Sequence, residues 1–167
     1  MILEEFPAGV PLFIDANIFL YAIVGHPRFG PSCLRLFRRL ESGDVEGRTS
    51  AFVLGEVYHK VLLADARRVL GVPMDRVVVE LKQRPDTITT LAAAREQMEI
   101  VLGYGIPVLP LPDFRAVVAA SMANGLLATD AAHVAVMEAA GIADIATNDR
   151  DFRRVGTLRV WAPSQSG

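Results

Sequence analysis

The fold class this sequence predicts is α/β: a single domain with a parallel sheet of about four or five strands and helices on both faces. Three observations carry that reading. Short apolar runs alternate with longer segments of helical periodicity along the whole chain. The first run, Leu12 to Ile14, is unbroken, as in a strand buried on both faces. The length of 167 residues suits one domain, which buries on the order of 70% of its unfolded surface without any staple. Residues 1–167 show no internal repeat, low-complexity tract or linker, so they read as one domain.

The elements follow in order. Leu12 to Ile14 forms the first strand and ends at Asp15. Asn17 stands where it can cap a helix over Ile18 to Val24, which Gly25-His26-Pro27 breaks. Pro31 to Leu40 carries Leu34, Phe37 and Leu40 at helical spacing and stops at Gly43. Val45 to Ser50 is a weak second strand. From Ala51 a helix presents Phe52, Val53, Val57, Val61 and Leu62 on one face until Gly71-Val72-Pro73. Val77 to Leu81 fits a strand or a helix equally. Thr87 to Leu102 predicts one helix with Leu91, Met98 and Leu102 on its apolar side. Ile106 to Leu111 predicts a third strand, and Pro107 and Pro110 assign it to an edge. A helix from Pro112-Asp113 to Asn124-Gly125 precedes another that opens at Thr129-Asp130 and closes at Gly141. Ile142 to Thr147 and Leu158 to Trp161 are the fourth and fifth strands, and Pro163 to Gly167 is expected to fray.

Composition narrows the function. Cys33 is the only cysteine, so an intrachain disulfide and a cysteine-rich zinc site are excluded, and it reads as a small buried apolar residue. With the acidic start Met1 to Glu5 and no run near the ~20 apolar residues of a membrane span, a cytoplasmic protein is expected, with no membrane partner. A net charge of −2 argues against coating nucleic acid by bulk charge. Local contact stays open: of the 17 basic residues only Lys60 and Lys82 are lysines, and arginine forks suit phosphate oxygens. The clusters Arg35, Arg38, Arg39 and Arg67, Arg68 read as solvated helix faces. The third cluster is Arg150, Arg153 and Arg154, of which Arg150 is the candidate for binding substrate.

Four acids fall near strand ends or helix starts: Asp15, Glu56, Asp130 and Asp149. In a doubly wound sheet those positions can share one edge, where ligands collect. Four clustered carboxylates repel one another unless a cation neutralises them, and an all-oxygen set favours Mg²⁺ or Mn²⁺ over Zn²⁺. Each acid also fits a plainer role. Asp15 and Asn17 could be turn and cap residues, Asp130 a first-turn acid and Asp149 a turn residue. Glu56 lies among apolar neighbours that a solvated glutamate does not need. His133, one turn after Asp130, reads as a core residue or as one that backs the ligands, rather than as a ligand itself.

At these residues the chain resembles the PIN-domain nucleases, in particular the toxin ribonucleases of VapBC toxin–antitoxin pairs. The matching pieces are Phe13 to Tyr21 (Phe-Ile-Asp-Ala-Asn-Ile-Phe-Leu-Tyr), Glu56 in its helix, Thr129 to Gly141, and Ile145 to Phe152 (Ile-Ala-Thr-Asn-Asp-Arg-Asp-Phe). The resemblance implies Mg²⁺-dependent RNA cleavage by Asp15, Glu56, Asp130 and Asp149, supported by Asn17 and Thr147. It also implies a homodimer and a small antitoxin that blocks the site. The segment Gly71 to Arg84 is an insertion relative to the compact toxins. Fold and acid cluster would also suit a phosphohydrolase of the haloacid dehalogenase type, which expects Asp-x-Asp where this chain has Asp15-Ala16-Asn17. A non-catalytic PIN-like interaction domain would be marked by loss of an acid, and none is missing.

Overall fold

A computed structural model describes residues 1–165. Five strands, β1 (Pro11–Ile14), β2 (Glu46–Ser50), β3 (Val108–Leu109), β4 (Asp144–Ala146) and β5 (Arg159–Trp161), form one parallel sheet in the order β3-β2-β1-β4-β5. Leu12, Phe13 and Ile14 are fully buried, so both faces of β1 are covered, as an unbroken apolar strand requires. The chain winds from β1 out through β2 to β3, then crosses back to β4 and β5. The order therefore reverses between β1 and β4, and the carboxyl ends of those two strands frame the crevice in which ligands of open α/β sheets collect.

The helices are α1 (Ala16–Ile23), α2 (Gly30–Glu41), α3 (Ala51–Leu70), α4 (Met74–Gln83), α5 (Ala92–Gly103), α6 (Phe114–Asn124) and α7 (Ala128–Ala139). Ser50 caps α3 by accepting from the Val53 amide, and Gly71, at φ 65°, supplies the left-handed residue that ends it. Gly47 is needed for another reason: a Cβ there would stand 2.6 Å from Leu40 Cδ2 and 3.1 Å from Ile14 Cδ1, inside the contact between α2 and the sheet.

Several expectations are corrected. The ambiguous segment Val77 to Leu81 lies in helix α4 (Met74–Gln83), with Val77 and Leu81 buried, so the stretch packs as an amphipathic helix. The single helix expected over Thr87 to Leu102 is a 3-10 turn, Pro85–Thr90, followed by α5. Thr89 and Thr90 donate their hydroxyls to the carbonyls of Asp86 and Thr87, local bonds that hold the tighter turn. Leu102 is exposed rather than on the packed face. Strand β3 keeps only two residues, since Pro107 and Pro110 have no amide to donate, and it does lie at the edge. The start of the tail does not fray: the Ser164 amide donates to Ser32 Oγ at 3.1 Å and its hydroxyl to Glu4 at 2.6 Å. The last two residues of that expected tail lie outside the described residues.

His133 is a core residue. It is 1% exposed, between Phe13 and Phe152, and neither ring nitrogen has a hydrogen-bond partner among the described residues. Burial pushes its pKa down to about 4 from an ordinary 6.5. The unfolded chain therefore binds a proton first as pH falls. The stability due to a neutral His133 is present above pH 6.5 and lost on acidification towards pH 4. Relative to His133→Leu, the native chain should lose on the order of 3 kcal/mol across that window, at 1.36 kcal/mol per pKa unit. Urea denaturation of both proteins at several pH values checks this. Parallel pH profiles would refute it.

Candidate active site

The crevice is built from where β1 stops. Asp15 follows the last strand residue, and its Oδ1 accepts from the Ala16 amide at 2.6 Å, so Asp15 itself caps α1. This corrects the expected helix start. The carboxylate directly after the strand takes the first free amide, the helix begins at Ala16, and Asn17 is left inside its first turn with its side chain free for other bonds.

Those bonds tie β1 to β4. Asn17 Nδ2 donates to Asp15 Oδ2 and, at 2.9 Å, to Thr147 Oγ1, while Asn17 Oδ1 accepts from the Asn148 amide at 3.1 Å. Thr147, fully buried beyond the end of β4, donates its hydroxyl to Asp15 Oδ2 at 2.6 Å and accepts from the Asp149 amide at 3.0 Å. Asn17 and Thr147 thus fix the Asp15 carboxylate and the Asp149 backbone with bonds that span 130 and 132 residues of sequence. An amide is needed at position 17, because a carboxylate there could accept from Asn148 but could not donate to Asp15 and Thr147.

Glu56 sits in the second turn of α3 and Asp130 in the first turn of α7. Asp15, Asn17, Glu56, Asp130 and Asp149 line one cleft of about 260 Å³, together with Leu20, Tyr21 and Asn148. Glu56 and Asp130 are also part of the wall of a wider groove of about 730 Å³, which Phe52, His59, Lys60 and Leu127 complete. All four predicted acids therefore reach a shared cleft.

Its electrostatics follow from burial and mutual repulsion. Asp15 is 5% exposed, and burial pushes its pKa up to about 6. Its bonds to Thr147 and Ala16 oppose that rise, and the charges of Glu56 and Asp130 add to it. The Asp130 carboxyl is also raised, first by burial and then by Asp149, Asp151 and Glu56, with Arg154 opposing. Among the described residues no three His, Cys, Asp or Glu side chains are closed into a metal-holding group. An open set of oxygens suits Mg²⁺, which keeps several waters and takes only one or two carboxylates directly. The donor chemistry fits that ion: oxygen-only, anionic and short of counter-charge.

The first two arginine clusters, expected to be solvated helix faces, also carry ion pairs. Arg35 pairs with Glu4, Arg39 with Asp44 and Arg68 with Asp65, so the first two clusters serve the fold. Arg154 pairs with Asp151, whereas Arg150, exposed beside Asp149, has no ion-pair partner among the described residues.

A model of the PIN domain family matches residues 12–158. This chain belongs to the PIN domain family. The fold of this PIN domain is similar to the crystal structure of VapBC2 from Rickettsia felis bound to a DNA fragment from their promoter. That likeness has a TM-score of 0.59 at 16% identity and covers 93% of this chain and 100% of that one. It is also similar to PAE2754 from Pyrobaculum aerophilum, with a TM-score of 0.56 at 19% identity over 90% of each chain. No curated protein matches the sequence. PIN domains are typically nucleases, and hydrolysis is a chemistry that a carboxylate-lined cleft suits. Among the described residues no helix is long and apolar enough to cross a membrane.

Three residues of the PIN domain cleft, Leu20, Tyr21 and Asn148, escaped the sequence reading, and the two polar ones are joined. Asn148 Nδ2 donates to the Tyr21 hydroxyl at 3.1 Å, joining the loop after β4 to α1 beside the acids. The only hint was position: Asn148 directly precedes Asp149, and Tyr21 lies one helical turn beyond Asn17.

Proposed function

We propose that this PIN domain is a divalent-metal-dependent endoribonuclease that hydrolyses RNA phosphodiester bonds, and that it acts as the toxin of a type II toxin–antitoxin pair. The observation that carries the nuclease reading is the cleft itself: four acids from separate parts of the chain face it, and Asp15, the most buried, is held charged at neutral pH against both burial and repulsion. Asp15, Glu56, Asp130 and Asp149 would hold Mg²⁺ or Mn²⁺. When bound, the ion would supply positive charge to the phosphate oxygens and make an attacking water more acidic. Asn17 and Thr147 keep the Asp15 carboxylate in one orientation. Glu56, on a different helix, is free to orient the water, and Arg150 offers its guanidinium to a neighbouring phosphate.

The haloacid dehalogenase alternative loses ground at Asn17, whose amide protons are spent on Asp15 and Thr147, a task no second aspartate could perform. The toxin reading is supported by the resemblance to VapBC toxins and by the fold shared with VapBC2, and a small antitoxin partner follows from it. A homodimer is supported by α6, where Phe114, Val118 and Met122 are 57%, 49% and 80% exposed at a spacing of one helical turn.

The purified protein should cleave RNA in Mg²⁺ or Mn²⁺ and stop when EDTA is added, and it should sediment as a dimer. Cleavage undiminished by EDTA would sink the metal-dependent reading, and monomer alone at micromolar concentration would sink the dimer.

A further inference from the structure

We propose that Tyr21, His26 and Phe29 form a stacking platform for an unpaired nucleobase of the RNA, next to the phosphate that the acidic cleft engages. This deepens the ribonuclease reading and rests on it. Tyr21 belongs to the cleft wall, and its hydroxyl accepts from Asn148, the residue before Asp149. From there the aromatic surface runs outward. Tyr21 and His26 have ring centroids 4.8 Å apart, His26 and Phe29 lie nearly parallel at 5.1 Å and 24°, and Tyr21 and Phe29 are 5.1 Å apart. The Arg28 guanidinium lies over the Phe29 ring, 5.6 Å from its centroid, and donates to Gln165 Oε1, so the same rim carries a cation that a base would displace or share.

The burial of these rings distinguishes a platform from a core cluster. Phe19 and Phe37, also paired at 5.3 Å, are each only 1% exposed and serve the core. Tyr21, His26 and Phe29 are each only partly buried, so the cluster lies at the rim of the core rather than sealed within it. The turn that carries them is held in place: His26 Nδ1 accepts from the Arg28 and Phe29 amides at 3.2 and 3.3 Å. A fixed, partly open aromatic surface with an arginine beside it is what binds single-stranded nucleic acid, since every base has a π-face and the neighbouring phosphate takes the cation. The acidic cleft repels phosphate until a cation occupies it. A site that grips the adjacent base supplies affinity that the carboxylates cannot.

The test uses short single-stranded oligoribonucleotides in Mg²⁺, in which one abasic ribose is moved along the sequence, with kcat/KM for cleavage as the readout. For the wild type, an abasic residue at one position beside the cleaved bond should reduce kcat/KM by roughly tenfold, the scale of one base–aromatic stack. Phe29→Leu and Tyr21→Leu should lose most of that penalty, while Tyr21→Phe, which keeps the ring, should retain it. The wild-type scan stands alone should a leucine variant fail to fold. A wild type indifferent to the abasic position would overturn the platform and leave the nuclease intact. A penalty that persists unchanged in folded Phe29→Leu and Tyr21→Leu would also overturn it. A wild type that cleaves no RNA would overturn the ribonuclease reading, and the platform with it.

Discussion

Asp15→Asn is expected to lower RNA cleavage in saturating Mg²⁺ by about a thousandfold or more while leaving the metal-free protein as stable as before, or slightly more so. The activity loss follows from charge. Several kcal/mol of transition-state stabilisation by a bound ion depends on the carboxylates that hold it, and each 1.36 kcal/mol is about tenfold in rate. The stability result is the more diagnostic half. At pH 7 the buried Asp15 carboxylate is charged although its folded pKa is about 6 rather than 3.8. The stability linked to this group is full below pH 3.8 and is lost as pH rises through 6, at a cost on the order of 3 kcal/mol by neutrality. Asparagine removes that cost. It also forfeits acceptor capacity, because Ala16, Asn17 and Thr147 all donate to the carboxylate and an amide offers one accepting oxygen. At about 1–3 kcal/mol for a buried donor left without an acceptor, that loss offsets most of the gain. Initial rates and urea melts in EDTA check both halves. A variant within a few-fold of wild-type activity would exclude Asp15 from the chemistry.

Asp144→Ala is expected to have the largest effect on stability, on the order of 3 kcal/mol, or roughly 10 °C in Tm for a chain of this size. Asp144 opens β4 and is 3% exposed. Its two oxygens accept from both Arg159 Nε, at 2.7 Å, and Arg159 Nη2, and from Trp161 Nε1 at 2.8 Å. The bonds to Arg159 and Trp161 hold the Asp144 carboxyl below the ordinary aspartate pKa of 3.8 against the opposing effect of burial, so its contribution is present above pH 3.8 and lost as pH falls. Arg159 itself is largely in water, so the cost of alanine falls on the bonds that clip β5 to β4 and on a Trp161 N–H left buried without an acceptor. Asp144→Asn, which keeps one acceptor for Trp161, should lose less. Equal Tm values for Asp144→Ala and wild type would refute the clip.

The fold was legible where local pattern and tertiary environment agree. Leu12 to Ile14 had to be a central strand because nothing polar interrupts it, and the prolines at 107 and 110 marked an edge because the missing amides are a covalent fact. Legibility failed where a choice depended on distant partners. Val77 to Leu81 became a helix only because α3 offers a surface for Val77 and Leu81 to cover. Asp65 and Asp144 carry no chemistry in a linear reading, yet Asp65 accepts from the Ala94 amide, 29 residues on, to cap α5 from outside. The acids of the candidate site could be placed because strand ends and helix starts converge on one edge of such a sheet. The resemblance singled out Asn17 and Thr147 as supporting residues, but the bonds they make were not legible locally, since those bonds span the chain and the cap of α1 is Asp15 rather than Asn17.

The claim that these four carboxylates form one divalent-metal site is tested most directly by the melting temperature in Mg²⁺ against EDTA, for the wild type and for Asp15→Asn at the same pH. An ion that binds only the folded state raises Tm by mass action, by about 2.7 kcal/mol of stability at a concentration one hundred times its Kd. The wild type should gain Tm on adding Mg²⁺, and Asp15→Asn should gain distinctly less. An equal response in the two proteins, or none in the wild type at millimolar Mg²⁺ or Mn²⁺, would contradict the metal site.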